Sequence, residues 1–378
     1  MPKLDYLGIR LKNPIFASAG EPTCDFEHMK KALDQGIGGV IAKSVSFTPD
    51  IAKSYDHCRW AILDENHKIC RNGQFPKNFT FYGRGGIPLA PKDWIDELRK
   101  TYEYALKLNA TVIPSIATGP LDAMVDYASR LAGIDKDIEL VTSDDVAKAI
   151  VTAIKSVVRF PVIYKLSPEV PDVVETCRAV ASAGADAVVI ANRYRGFLVD
   201  VEKGRAVLDS WGGIGGPWVL PLTLRWVSKV HEAMPHLPIA GSNGVGGWED
   251  VVQFIMSGAT TVQVCSAIMV HGYDILGEMV QKLEQFMMAH GYSYENITGI
   301  AVRHAKSYKE LFTKHNRATV DRTLCSGCLA CLDACFYGGI VAGSHGPEVT
   351  SFCKGCGMCE MRCPTGAISL RPEEGTTL

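Results

Sequence analysis

"PVIYKLS" (161–167) and, after an amphipathic stretch, "DAVVIAN" (186–192) are short β-rich runs with apolar residues on both faces. A strand with one wet face alternates apolar and polar residues, whereas a strand covered by helices on both sides does not. These two therefore read as neighbours in a buried parallel sheet. Runs of the same kind recur along the chain: "PIFAS" (14–18), "GGVIAKS" (38–44), "ATVIPSIA" (110–117), "DIELVT" (137–142), "LPIAGSN" (237–243) and "TVQVCSA" (261–267). Eight such runs with helical segments between them predict an α/β fold, a TIM (β/α)8 barrel. A doubly wound open sheet is the rival, but no G-x-G-x-x-G follows the first run. The helices are legible too. Over 93–109, Trp94, Leu98, Tyr102 and Ala105 fall at helical spacing, and "TSDDVAKAIVTAIKSVV" opens with Thr142 or Ser143 as an N-cap.

The C-terminal part is different in kind. "CKGCGMCEMRCP" (353–364) is a C-x2-C-x2-C-x3-C-P run, and "CSGCLACLDAC" (325–335) repeats its spacing with Phe336 in place of the proline. Two such runs predict a bacterial-ferredoxin-like module with two 4Fe-4S clusters, because three closely spaced thiolates bind three irons of a cubane while the fourth ligates the other cluster. Cys325, Cys328, Cys331 and Cys363 are thus assigned to one cluster, and Cys353, Cys356, Cys359 and Cys335 to the other. Zinc is the alternative for C-x2-C pairs, but two triplets each with a fourth cysteine exceed what zinc needs. The expected organisation is a barrel over 1–305, a linker over 306–320 and the ferredoxin-like domain over 321–378.

Composition narrows the function classes. Charged residues are 21% and hydrophobic ones 47% of the 378, and the formal net charge is −2. Nothing in that balance points to a nucleic-acid or anionic-membrane partner. The N-terminus has no apolar stretch of signal-peptide length, and no uninterrupted apolar run spans a bilayer. Eight of the thirteen cysteines lie in the two runs and the rest (Cys24, Cys58, Cys70, Cys177, Cys265) are scattered, which fits a reducing compartment. The expected location is the cytoplasm.

Two connections, 45–92 and 194–216, are unusually long, and the first reads as a lid or substrate wall. The last strands lead into "GGIGG" (212–216), "GSNGVGG" (241–247) and "CSA" (265–267), glycine-rich turns where barrels bind phosphate.

From "NPIFASAG" to the last cysteine run, the chain resembles the dihydroorotate dehydrogenase superfamily, in particular the barrel-plus-ferredoxin half of dihydropyrimidine dehydrogenase. "YKLSPEVPDVV", "GGIGGPWVLPLTLR", "GATTVQVCSAI" and the doubled cysteine run carry the likeness. It implies FMN at the barrel mouth. Gly20, Lys43 and Ser44 would then lie along the flavin, Lys165 near its N1/C2 edge, and Asn192 near flavin or substrate. Gly215, Gly216, Gly244, Cys265 and Ser266 would hold the phosphate, with Asn243 beside them in place of a more usual glycine. The resemblance also implies a homodimer.

The likeness breaks after the fourth strand. The family has an asparagine there and then a loop bearing a cysteine or serine that moves the substrate proton. Here Val141 stands at the asparagine's place, and no cysteine occurs between Cys70 and Cys177. The proton-moving group is therefore sought among Tyr82, Cys70, His67 and Tyr194, and Arg193 and Arg195 point to an anionic substrate. The expectation is an FMN- and iron-sulfur-dependent oxidoreductase acting on an activated C=C or C–C bond of a small cyclic or carboxylated molecule. It would exchange electrons with an NAD(P)H-oxidising flavoprotein subunit or a ferredoxin. Pyrimidine reduction with a relocated acid, or electron transfer without substrate chemistry, are the alternatives.

Overall fold

A computed structural model describes residues 4–46, 49–91, 93–117, 119–131, 138–141, 147–306 and 316–372. The chain divides into two compact units, Met1–Arg303 and His304–Leu378. Of the linker expected over 306–320, residues 307–315 lie outside the described part.

The first unit is a TIM barrel. Its strands are β1 (Ile15–Ala17), β2 (Gly39–Ile41), β3 in two pieces (Thr111–Ile113 and Ser115–Ala117), β4 (Ile138–Val141), β5 (Val162–Lys165), β6 (Ala187–Ile190), β7 (Ile239–Ser242) and β8 (Thr261–Val264). All pair in parallel, in the order β3-β2-β1-β8-β7-β6-β5-β4-β3. The two pieces of β3 stand at the two ends of that order yet adjoin in sequence, so the sheet closes. Pro114 separates them: it has no N–H for the ladder, while its carbonyl accepts from the Glu139 amide at 2.9 Å. Each strand corresponds to one of the eight sequence runs.

Helices cover the sheet between successive strands, among them α1 (Phe26–Asp34), α2 (Trp94–Lys107) and α3 (Leu121–Leu131). The others include α4 (Ala147–Val157), α5 (Val173–Ser182), α6 (Leu220–Ala233), α7 (Trp248–Met256), α8 (Ser266–His271) and α9 (Asp274–His290). In α2, Trp94, Leu98 and Ala105 are buried as the spacing requires, joined by Thr101, while Tyr102 is only half-buried. The α4 cap expected at Thr142 or Ser143 lies outside the described residues. Asp172 caps α5, accepting from the amides of Val174 and Glu175 at 2.8 and 3.1 Å.

The two long connections share one structure. Arg59–Leu63, Thr80–Arg84, Gly212–Gly215 and Tyr194–Gly196 form a four-stranded antiparallel sheet, so excursions far apart in sequence pair directly through Tyr82↔Ile214.

The second unit is built from two antiparallel pairs, Asn316–Val320 with Ile368–Pro372 and Ile340–Gly343 with Gly346–Val349. Two short helices, Ala330–Asp333 and Met358–Arg362, each carry the third cysteine of a run. The residue before the second cysteine is a left-handed glycine in both runs, Gly327 and Gly355. At Gly355 a Cβ would also sit 2.1 Å from the Asn316 carbonyl oxygen, so no other residue fits. The apolar core here comprises Ala318, Ile340, Ile368 and the two cysteines Cys331 and Cys359. A core that small calls for a further staple, of which a bound metal centre is one kind.

Candidate active site and cysteine sites

A cavity of about 280 Å³ opens where the barrel strands end. β5 delivers Lys165 as its last residue, and the turns after β1 and β2 deliver Gly20, Lys43 and Ser44. Asn192 and Arg193 follow β6, while Gly215 and Gly216 enter from the antiparallel sheet. Asn243 and Gly244 follow β7, and Cys265 and Ser266 follow β8. Every residue expected to contact cofactor therefore lines this one cavity.

Close backbone packing explains the glycines. A Cβ at Gly244, which has φ +110°, would lie 2.7 Å from the Leu220 Cα, where backbone cannot yield. A Cβ at Gly20 would lie 2.6 Å from the Cys265 Sγ. Asn243 adopts φ 72°, which asparagine tolerates, and its Nδ2 donates to the Asn192 carbonyl at 3.1 Å. Such a cradle of cavity-lining backbone beside a hydroxyl fits a phosphate. Burial and the neighbouring Glu21 push the Cys265 thiol up, so it stays neutral and adds no charge against an anion.

The cations divide into satisfied and unsatisfied. Lys43 pairs with Glu21 at 2.9 Å, and its ammonium lies 5.6 Å from the Tyr55 ring centre. Lys165, 6% exposed, donates to Gln263 Oε1 at 2.8 Å and Ser18 Oγ at 3.1 Å, with Glu139 Oε1 at 3.5 Å. Arg193 has no carboxylate within ion-pair distance among the described residues. Its guanidinium reaches only the Gly83 carbonyl at 3.5 Å and lies 5.2 Å from the Trp60 ring centre. Burial without a counter-ion pulls it down from its ordinary value, yet arginine remains charged. Trp60 itself lies against Gly83 and Gly85, where any Cβ would strike the indole. The Gly-rich "YGRGG" tract is thus the seat of a cavity wall.

The four groups proposed to move a proton do not line the cavity. Tyr82 is fully buried and its hydroxyl donates to the Ser210 carbonyl at 2.9 Å. Its neighbour Phe81 lines the cavity instead, because successive strand residues face opposite sides, and a phenyl ring has no proton to move. Cys70 lies beyond the Arg59–Leu63 strand, where burial, Asp64 and Glu65 push its thiol up, and His67 is exposed on the same turn. Tyr194 starts the strand outside the cavity, its hydroxyl pushed up by burial and by Glu169. Arg195 is exposed and interacts with Glu169. Val141 closes β4, and residues 142–146, which follow it where the family carries its loop, lie outside the described residues. The sequence reading missed Glu21, Ser18, Trp60 and Gln263, which all line the cavity. Glu21 was detectable as the acid directly after Gly20; the others meet only in three dimensions.

In the second unit, Cys325, Cys328, Cys331 and Cys363 line one small cavity, and Cys335, Cys353, Cys356 and Cys359 line another. The fourth cysteine of each run therefore sits with the first three of the other run.

Comparison with known proteins agrees with this geometry. A family model described as "Dihydroorotate dehydrogenase" matches residues 134–287. The "Dihydroorotate dehydrogenase B (NAD(+)), catalytic subunit" of Methanosarcina mazei is 31% identical over 316 residues, covering 78% of this chain and 93% of that protein. The chain belongs to the dihydroorotate dehydrogenase family. Proteins of the same description from Pyrococcus abyssi and Methanocaldococcus jannaschii are 28% and 26% identical, each across 80% of this chain and 100% and 98% of their own lengths. A "4Fe-4S binding domain" model matches residues 349–369, which contain Cys353, Cys356, Cys359 and Cys363. As a dihydroorotate dehydrogenase family member with that domain, the protein is a flavin-dependent oxidoreductase acting on a CH–CH bond, with an iron-sulfur module at its C-terminal end. No helix among the described residues is long and apolar enough to cross a membrane.

Proposed function

We propose that the barrel holds FMN and acts on the C–C bond of a small cyclic carboxylate, and that the cysteine module holds two 4Fe-4S clusters serving a redox partner protein in the cytoplasm. The observation that carries this is the unpaired Arg193 guanidinium in a cavity whose other cations are already engaged. A half-buried guanidinium with no counter-ion among the described residues is costly, and a substrate carboxylate would neutralise it with two parallel hydrogen bonds. Dihydroorotate is the first candidate, since the relatives are named for it and it carries a ring carboxylate. Bound flavin would take two electrons from such a bond and release them singly to iron-sulfur clusters.

The chain's own residues divide the remaining work. Gly215, Gly216, Gly244, Cys265 and Ser266 would hold the cofactor phosphate, and Lys165 would face the ring edge that gains negative charge. Ser44, whose hydroxyl shares a hydrogen bond with Ser115 at 2.8 Å, and Lys43 would line the flavin's other side. Arg193 and Asn192 bind and orient the substrate, while Trp60 and Phe81 exclude water. The relatives are called catalytic subunits, which supports electron exchange with a second protein: a flavoprotein subunit oxidising NAD(P)H, or a ferredoxin.

The test is an anaerobic titration of the flavin absorbance with dihydroorotate, other small carboxylates, uracil and thymine. The carboxylates are expected to perturb it and the uncharged pyrimidines are not. With whichever carboxylate turns over, Arg193→Ala is expected to raise KM about 10- to 100-fold, the loss of a charged hydrogen bond worth roughly 1–3 kcal/mol. An unchanged KM removes Arg193 from the site.

A further inference from the structure

The layer of barrel interior that floors the cavity is polar rather than apolar. Glu139 on β4, Lys165 on β5, Gln263 on β8 and Ser18 just after β1 meet there in a single hydrogen-bonded group. Glu139 is 0% exposed, and its Oε2 accepts from Gln263 Nε2 at 2.6 Å. Its Oε1 receives no hydrogen bond among the described residues and lies 3.5 Å from the Lys165 ammonium. The amide orientation follows from this: with Nε2 turned to Glu139, Gln263 presents Oε1 to both Lys165 and the Ser18 hydroxyl, at 2.8 and 3.0 Å. Two ammonium protons of Lys165 are thereby committed to Gln263 and Ser18.

A barrel layer needs only to be filled, and branched apolar side chains do that at no electrostatic cost. A buried carboxylate with one oxygen lacking a donor is expensive by comparison. Here it sits directly behind the one lysine that both faces the cavity and belongs to this layer. Removing its charge would leave a net positive site under any ring seated above, and low local dielectric makes that difference large.

We propose that Glu139 is a positioning residue that holds Lys165 and Gln263 in place and, by its negative charge, lowers the reduction potential of the flavin seated above them. The inference rests on the reading that the barrel holds FMN, and it adds a residue that never touches the cofactor. Glu139→Gln keeps the shape and can still accept from Gln263, so it isolates the charge.

The experiment is an anaerobic redox titration of the flavin in the intact chain, for the wild type, Glu139→Gln and Glu139→Asp. Glu139→Gln is expected to raise the midpoint so that, at a fixed potential, the reduced-to-oxidised ratio rises at least tenfold, about 30 mV for a two-electron couple. Glu139→Asp, which keeps the charge, is expected to stay close to wild type. A purely structural role would lower the melting temperature of Glu139→Gln and leave its potential where it was, and that result overturns the proposal. Should Glu139→Gln fail to fold or to retain flavin, Gln263→Leu takes its place. It strips Glu139 of its hydrogen-bond donor but not of its charge, so its potential should stay level or fall, and a rise overturns the proposal. Absence of flavin from the wild-type protein overturns this inference and the underlying reading together; flavin with an unmoved potential overturns the inference alone.

Discussion

Lys165→Met is expected to destabilise the barrel by about 3–5 kcal/mol, because it strands the Glu139 carboxylate in the interior. Glu139 is fully buried, and Lys165 is the cation within reach of its free oxygen. Combining Lys165→Met with Glu139→Gln should recover most of the loss, since a neutral amide in that position costs far less than an unpaired charge. Urea unfolding followed by tryptophan fluorescence, under anaerobic conditions, measures both. A single variant as stable as wild type would mean that water or rearrangement neutralises Glu139, and the charged layer would lose its meaning. The prediction concerns the protein itself and holds whether or not cofactor is bound.

The second large effect belongs to the cysteines. In the proposed two-cluster module, where the fourth ligand of each cluster would come from the opposite run, Cys335→Ser should remove the same cluster as Cys353→Ser, lowering iron from about eight to about four per chain. The double variant Cys335→Ser/Cys353→Ser should lose no more than either single one. Cys335→Ser/Cys325→Ser should instead lose nearly all the iron, and with it most of the module's stability, because its apolar core is so small. Equal iron in the two double variants would contradict the crossed ligand sets that line the two cavities.

How far the sequence could be read depended on whether a signal was local. The barrel strands were legible because two-sided burial writes a continuous apolar run into each segment, and the cysteine spacing is a local chemical constraint. The β3 run "ATVIPSIA" even shows its break, with Pro114 in the middle of the strand that closes the sheet. The residues expected to contact cofactor share one cavity because they fall at strand ends and in glycine turns that a barrel places at one face. The proton-moving candidates do not line the cavity: they lie on or beside the antiparallel sheet made from two distant excursions, a pairing that no local signal announces. The Glu139 group was hidden for a related reason. Its members come from two strand pairs, β4 with β5 and β8 with β1, and the two pairs meet only across the closed barrel interior.

The most direct test of the account is the cofactor content of the chain purified without oxygen: acid-released flavin, identified and quantified, against iron. About one FMN and about eight irons per chain are predicted. Iron without flavin would contradict the assignment of the glycine cradle and the cavity lysines, and with it the oxidoreductase chemistry placed in the barrel.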